Sequence, residues 1–249
     1  MNRNFAGALI QTGNRLLASL PSDEYRRLAS KLEEVDIKHG TYLFKTGDEI
    51  LDVYFPNSGF ISLLAGSEKD GAVGTAIIGT EGMLGLSLVL GAKTSVGWAI
   101  VEGSGTAMRM SADDFASENV PGGVLVDPLL RYARLRNIQM HRSIWCNRFH
   151  NTQERLARRI ITMSQMMGSD ELETRHNLLA KAIGTRRETV TNTLTIFRKE
   201  NLIRTGREMI TIIDHPGLAT ASCPCDVMLG AKVSPETLGS DVLSVGTIS

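Results

Sequence analysis

The sequence predicts an α+β chain: a roll of short strands, then a long helix, then a small helical module closed by a hairpin. Three observations carry this. Thirteen of the 24 glycines fall between Gly40 and Gly105. After Pro128 the apolar residues switch to a spacing of three and four. The charges are segregated although 27 Lys/Arg and 27 Asp/Glu cancel overall: residues 131–215 hold 16 basic against 8 acidic groups.

The glycines separate short apolar runs: Thr41 to Phe44, Val53 to Phe55, Phe60 to Leu64, Ala72 to Ile78, Trp98 to Val101 and Thr106 to Met110. Runs of this length bounded by glycine read as strands with tight turns, since Gly supplies the positive φ such turns need. Several at regular spacing imply a closed roll or barrel. Before them, Pro21 to Glu34 reads as a helix capped by Ser22, with Tyr25, Leu28, Ala29 and Leu32 on one face.

Beyond Pro128, Leu130, Ala133, Asn137, Met140 and Ile144 form a short heptad seam with a polar Asn inside. A dimerising helix shows this pattern, and so does a plain core helix. Asn151-Thr-Gln-Glu154 reads as a capping box that opens a new helix with Leu156, Ile160, Met163 and Met167 on its buried stripe. Gly168 is placed to end it. The junction near Phe149–Asn151 is a candidate hinge.

Composition narrows the function classes. Hydrophobic content of 42% and charged content of 22% are those of a globular chain, not a disordered one. No apolar run of about 18 residues exists to span a membrane. Met1 to Gly13 lacks a signal-peptide core, and three cysteines make no disulfide framework, so a cytoplasmic location is expected. Residues 1–130 carry 10 basic against 16 acidic groups, so only the basic back half is suited to a polyanion. The division expected is 1–127 for the roll, 128–150 for the long helix and hinge, 151–217 for the basic module, and 218–249 for a flexible tail.

Within the basic module, Ala180, Gly184 and Val190 have helix-turn-helix spacing. A small Ala lets two helices approach, Gly permits the turn, and Val locks the second helix on the first. The second helix, roughly Arg186–Glu200, presents Arg186, Arg187, Glu188, Thr191 and Asn192 near its start, the end that enters a major groove. Arg can pair with guanine, Glu can accept from cytosine, and Asn can read adenine. Leu202-Ile203 and Met209 to Ile213 then read as a wing around a Gly turn, with Arg204 and Arg207 placed to meet phosphate.

This order, with Gly184-Thr-Arg-Arg-Glu-Thr-Val190 at its centre, resembles the Crp/Fnr family of bacterial transcription regulators over about residues 15–217. Arg187-Glu188-Thr189-Val190 is specific for the family. Phe55-Pro56-Asn-Ser-Gly59 and Gly79-Thr-Glu-Gly82-Met-Leu-Gly85 fit its roll. The resemblance implies a cyclic-nucleotide-binding-like β-roll, a dimerisation helix and a winged helix-turn-helix. It implies a homodimer on palindromic double-stranded DNA, with RNA polymerase as a further partner. Base reading carries over to Arg187 and Glu188. Asn192 stands where the family often has a further Arg, which points to a different half-site.

The family's nucleotide binders hold their ligand with a Gly-Glu-Leu stretch and a following Arg-Ser/Thr. Here Gly85-Leu86-Ser87 and Ala92-Lys93-Thr94-Ser95 stand instead, and Lys cannot give the forked donation of Arg. Cyclic AMP is not expected. Met83, Leu84, Leu86, Leu88, Val89 and Leu90, with Lys93 and Thr94 nearby, would line an apolar pocket or fill a core. No cysteine precedes Cys146, so an iron–sulfur sensor of the family's type is not expected. Cys146 and His150 could share a helical face, but two ligands make no metal site. Cys223-Pro-Cys225, a tail Cys-x-Cys that some members share, is expected in solvent. No catalytic constellation, metal or cofactor is expected. The main rival is a ligand-binding regulatory subunit that uses the roll without touching DNA.

Overall fold

The structure, a computed structural model, describes residues 12–67, 69 and 71–225. A short helix α1 (Arg15–Ala18) and α2 (Ser22–Ala29) lead into the roll. Its strands are β1 (Glu33–Ile37), β2 (Tyr42–Phe44), β3 (Asp52–Pro56), β4 (Phe60–Ser67), β5 (Gly71–Ile78), β6 (Trp98–Gly103) and β7 (Gly105–Ser111), with α3 (Leu86–Val89) between β5 and β6. They form two antiparallel sheets, ordered β1-β7-β3 and β2-β6-β4-β5, rather than one closed barrel. Ile37 and Ala107 from the first sheet share a core with Phe44, Ile61, Ile78, Ala99 and Val101 from the second. That core holds the sheets face to face.

All six strands read from the glycine pattern are present, but β1 is not a helix end. The expected helix to Glu34 stops at Ala29, with Pro21 as its cap rather than Ser22. Glu33 and Glu34 pair with Arg109 and Met108 of β7.

Helix α4 (Ala112–Glu118) connects the roll to α5 (Val126–Phe149). The long helix starts two residues before Pro128, which sits in the first turn where its missing N–H costs nothing. One face, with Leu129, Tyr132, Leu135, Arg136 and Gln139, is buried. Gly82 has no side chain because Tyr132 fills that space: a Cβ there would lie 2.0 Å from the ring. The neighbouring face carries Leu130, Asn137, Met140 and Ile144 exposed, and Ala133 half-buried. Leu130 is 54% and Ile144 67% accessible, so the seam is not core within the chain.

The chain breaks at His150 and restarts at α6 (Thr152–Met167) through the capping box: Glu154 N donates to Asn151 Oδ1 and Asn151 N to Glu154 Oε2. Leu156, Ile160 and Met163 are fully buried, while Met167 remains 36% accessible. Then come β8 (Glu171–Glu173), α7 (His176–Ile183), α8 (Arg187–Lys199), β9 (Ile203–Gly206), β10 (Met209–Ile212) and α9 (His215–Thr220). The β8 strand, which no sequence pattern announces, makes the wing a three-stranded sheet ordered β8-β10-β9. Phe60 and Ile77 of the roll join the core of α6, α7 and α8, so the two halves pack as neighbours.

The packed structure continues past residue 217, through α9 to Cys225. The rest of the expected tail, 226–249, and most of the segment weighed for a signal peptide, 1–11, lie outside the described residues.

Candidate nucleic-acid interface

Helices α7 and α8 meet where the spacing placed them. Ala180 and Val190 are buried at the crossing, and Gly184 ends α7 at φ +64°, a left-handed conformation that suits glycine. Helix α8, the second of the pair, runs from Arg187 to Lys199, with Arg186 as its cap residue. Val190, Thr193, Leu194 and Phe197 face inward. Arg186, Arg187, Glu188, Thr191 and Asn192 are all exposed on the other side.

Four threonines in α8 alternate with these groups. Thr191 donates its hydroxyl to Arg187 O at 3.1 Å, Thr193 to Thr189 O and Thr195 to Thr191 O, both at 2.9 Å. The Thr191 oxygen in turn lies 2.8 Å from His176 Nδ1. Since its own proton is committed to the helix, it accepts from the imidazole. His176 has its pKa lowered, first by burial and then by Arg187.

The wing tip differs from the sequence-based expectation. Gly206 pairs with Met209 inside the hairpin, so the turn residues are Arg207 and Glu208 rather than a glycine. Glu208 sits at φ +56°, unusual for a non-glycine residue. Two interactions hold it: Thr174 N donates to its carbonyl at 2.9 Å, and Arg175 Nε pairs with its carboxylate at 3.1 Å. Arg204 and Arg207 are exposed, with Arg207 at the tip. A polar groove between wing and helices is lined by Arg175, His176, Asn177, Arg187 and Glu208.

The roll contains a cavity of about 290 Å³. Met83, Leu84, Leu86 and Leu90 line it as expected, with Leu63, Ile78 and Trp98 from the sheets, Ile50 from the loop before β3, and Arg136 and Met140 from α5. Leu88, Lys93 and Thr94 do not. Leu88 packs into the neighbouring cores. Lys93 and Thr94 are exposed on a loop whose backbone is spent on the 49–50 strip: Ile50 N donates to Lys93 O, and Thr94 bridges Glu49. The one charged side chain in the lining among the described residues, Arg136, donates from Nη1 to Ile77 O at 3.1 Å and Gln139 Oε1 at 2.6 Å.

The cysteines also depart from expectation. Cys223 and Cys225 are buried, not in solvent, and cluster with Cys146. Cys146 Sγ and Cys223 Sγ are 3.5 Å apart, and Cys225 Sγ lies 3.3 Å from His150 Nδ1. The hydrogen bond between Cys146 and Cys223 lowers the pKa of the Cys223 thiol and raises that of Cys146. These partners lie 77 and 75 residues apart in the chain, so spacing could supply only the Cys146–His150 half.

Residues 154–221 match the family model of the Crp-like helix-turn-helix domain. No curated protein matches the chain in sequence. Among solved structures, a crp/fnr-family protein of Eubacterium rectale superposes with a TM-score of 0.65 at 18% identity, over 84% of this chain and 98% of that one. The c-di-GMP responsive global regulator CLP of Xanthomonas campestris gives 0.64 at 14% identity, over 78% and 100%. TTHA1359, a Crp/Fnr-family transcriptional regulator of Thermus thermophilus, gives 0.62 at 22%, over 76% and 98%. Among the described residues, no helix is long and apolar enough to cross a membrane.

Proposed function

From a Crp-like helix-turn-helix domain joined to the roll and long helix of the Crp/Fnr fold, we propose that this chain is a sequence-specific, DNA-binding transcription regulator of the cytoplasm. It acts as a homodimer through the α5 seam, without catalysis of its own. The observation that carries the reading is the N-terminal end of α8. Five polar groups, Arg186, Arg187, Glu188, Thr191 and Asn192, stand exposed beside a wing that offers Arg204 and Arg207. Arg187 and Glu188 read base edges; the wing arginines hold phosphate. Thr191, its hydroxyl bound to the helix, offers a methyl group to a thymine methyl.

Two-fold symmetry through α5 would carry two such helices to successive major grooves. The roll serves as the sensor. Its cavity is apolar, and the Arg136 cation in its wall is already hydrogen-bonded, so it suits a small apolar effector better than a cyclic phosphate. Arg136 and Met140 bring the long helix into the cavity wall, so an effector there would touch the dimer helix directly. RNA polymerase would be the further partner.

Selection of bound duplexes from a random pool, with purified protein and no added effector, tests the reading. A palindromic site with half-sites one helical turn apart is the expected result. Binding without sequence preference, or none at any salt concentration and with no effector present or supplied from cell extract, would leave the regulatory-subunit reading in its place.

A further inference from the structure

The chain has three cysteines, and all three meet at one place with His150. Cys146 lies in the last turn of α5, and His150 is the extended residue that caps it, its N donating to Cys146 O at 3.1 Å. Cys223 and Cys225 come from the segment after α9, which is held against α6: Cys223 N donates to Glu154 O, and Arg158 Nη1 to Cys225 O at 3.3 Å. The four donor atoms, three Sγ and one Nδ1, lie within 4.8 Å of one another.

The distances fit one ion at the centre of a tetrahedron. Zinc–sulfur bonds of about 2.3 Å and zinc–nitrogen bonds of about 2.0 Å set tetrahedral edges of roughly 3.8 Å between sulfurs and 3.5 Å between sulfur and nitrogen. Two of the six observed edges are 3.5 Å for Cys146–Cys223 and 3.3 Å for Cys225–His150, and the other four are no longer than 4.8 Å. A disulfide between Cys146 and Cys223 would need the sulfurs at about 2.05 Å and would leave Cys225 and His150 out. The charge also fits. Three thiolates and a neutral imidazole around a divalent ion leave one negative charge. Arg158, whose buried Nε has no hydrogen-bond partner among the described residues, stands beside the cluster to offset it.

We propose that Cys146, His150, Cys223 and Cys225 form a four-ligand site for one zinc ion per chain. On binding, three thiols release their protons and four bonds to the metal form, with no change of oxidation state. A Cys₃His set with no position left open is a structural site, not a catalytic one. Two ligands belong to the long helix and two to the far end of the DNA-binding module, on either side of the break at His150. The ion therefore staples the module to the helix at its hinge.

The test uses the full chain, purified under reducing conditions from zinc-supplemented cells. Elemental analysis should find one zinc per chain. Replacement by cobalt should give the intense visible bands of a tetrahedral thiolate site. Zinc should protect all three thiols from a thiol reagent, and chelation should expose them. Cys223→Ser with Cys225→Ser should lose the metal, and His150→Ala should weaken binding at least tenfold, both with an unchanged far-ultraviolet circular dichroism spectrum. Should the double variant fail to fold, the cobalt spectrum and thiol protection of the unaltered chain still decide. Reduced protein that holds no stoichiometric metal, an octahedral cobalt spectrum, an iron–sulfur chromophore, or a Cys146–Cys223 disulfide by mass would each overturn the assignment.

Discussion

Arg159 of α6 and Glu102 of β6 approach to 2.7 Å in a place where both are almost wholly buried. The guanidinium does not aim its proton at the carboxylate. Its Nη2 donates to Ser62 Oγ, also at 2.7 Å, and neither carboxylate oxygen of Glu102 has a hydrogen-bond partner among the described residues. The attraction is thus charge against charge in a low dielectric, with the guanidinium 5.7 Å from the Phe60 ring centre. It joins the helix-turn-helix half to the roll.

Removing one partner should therefore cost more than the pair contributes. Arg159→Met leaves Glu102 buried beside no cation, which should lower stability by about 3–5 kcal/mol. Arg159→Met with Glu102→Gln should recover most of that. Urea denaturation of the four members of the cycle measures the coupling, and additive losses would show the pair to be solvated in solution.

Ile144 is exposed in the chain and lies on the seam with Leu130, Ala133, Asn137 and Met140. Ile144→Asp would place a carboxylate in a desolvated interface, at a cost of several kcal/mol when unpaired. Sedimentation should show a monomer at micromolar concentration. A variant that remains dimeric would move the interface elsewhere.

Arg187 and Arg207 occupy different parts of the interface and should fail differently. Arg187→Ala should cost about 1–3 kcal/mol per half-site and relax preference at one base pair. Arg207→Ala, at the wing tip, should weaken all sequences alike and lower the salt slope by about one unit for each phosphate no longer neutralised. Titrations against the selected site and its single-base variants, at several salt concentrations, separate the two. If base preference follows Arg207 instead, α8 is not the reading helix.

His176 gives a pH dependence whose sign follows from its environment. Burial, and then Arg187, lower its pKa below the ordinary 6.5, so the folded chain resists its protonation. The unfolded chain takes up the proton first. Stability from this group is full above about pH 6.5 and is lost as pH falls through the lower folded value. Thermal melts of the wild type should drop more between pH 7 and pH 5 than those of His176→Gln. Parallel curves for the two would assign the loss to other groups.

The helix-turn-helix is legible in the sequence because its determinants are local. Ala180, Gly184 and Val190 act across one helix crossing, and Asn151 and Glu154 cap the same helix end. Strand β1 is not. Leu32 completes a helical spacing with Tyr25 and Leu28, and Glu33 to Ile37 buries only its last residue, so no alternation marks it as a strand. Its pairing with β7, at the other end of the roll in sequence, decides its conformation. Lys93 and Thr94 fall outside the expected pocket for a similar reason: the loop turns outward because its backbone pairs with Glu49 and Ile50. The thiol cluster needs the whole fold, since Cys223 reaches Cys146 only after α6 to α9 have packed.

Gly74 lies where β5 passes α7. A Cβ added there would sit 2.4 Å from Ala182 O, so strand and helix touch backbone to backbone. Side chains usually cushion such a junction, because a rotamer can absorb a small displacement. None stands between Gly74 and Ala182. The next residue, Thr75, lines the cavity. A sub-ångström shift of the strand is therefore passed to the helix as movement, not dissipated as repacking. In mechanical terms the junction is stiff, and the angle at which the module presents Arg187 is geared to the strand that walls the cavity.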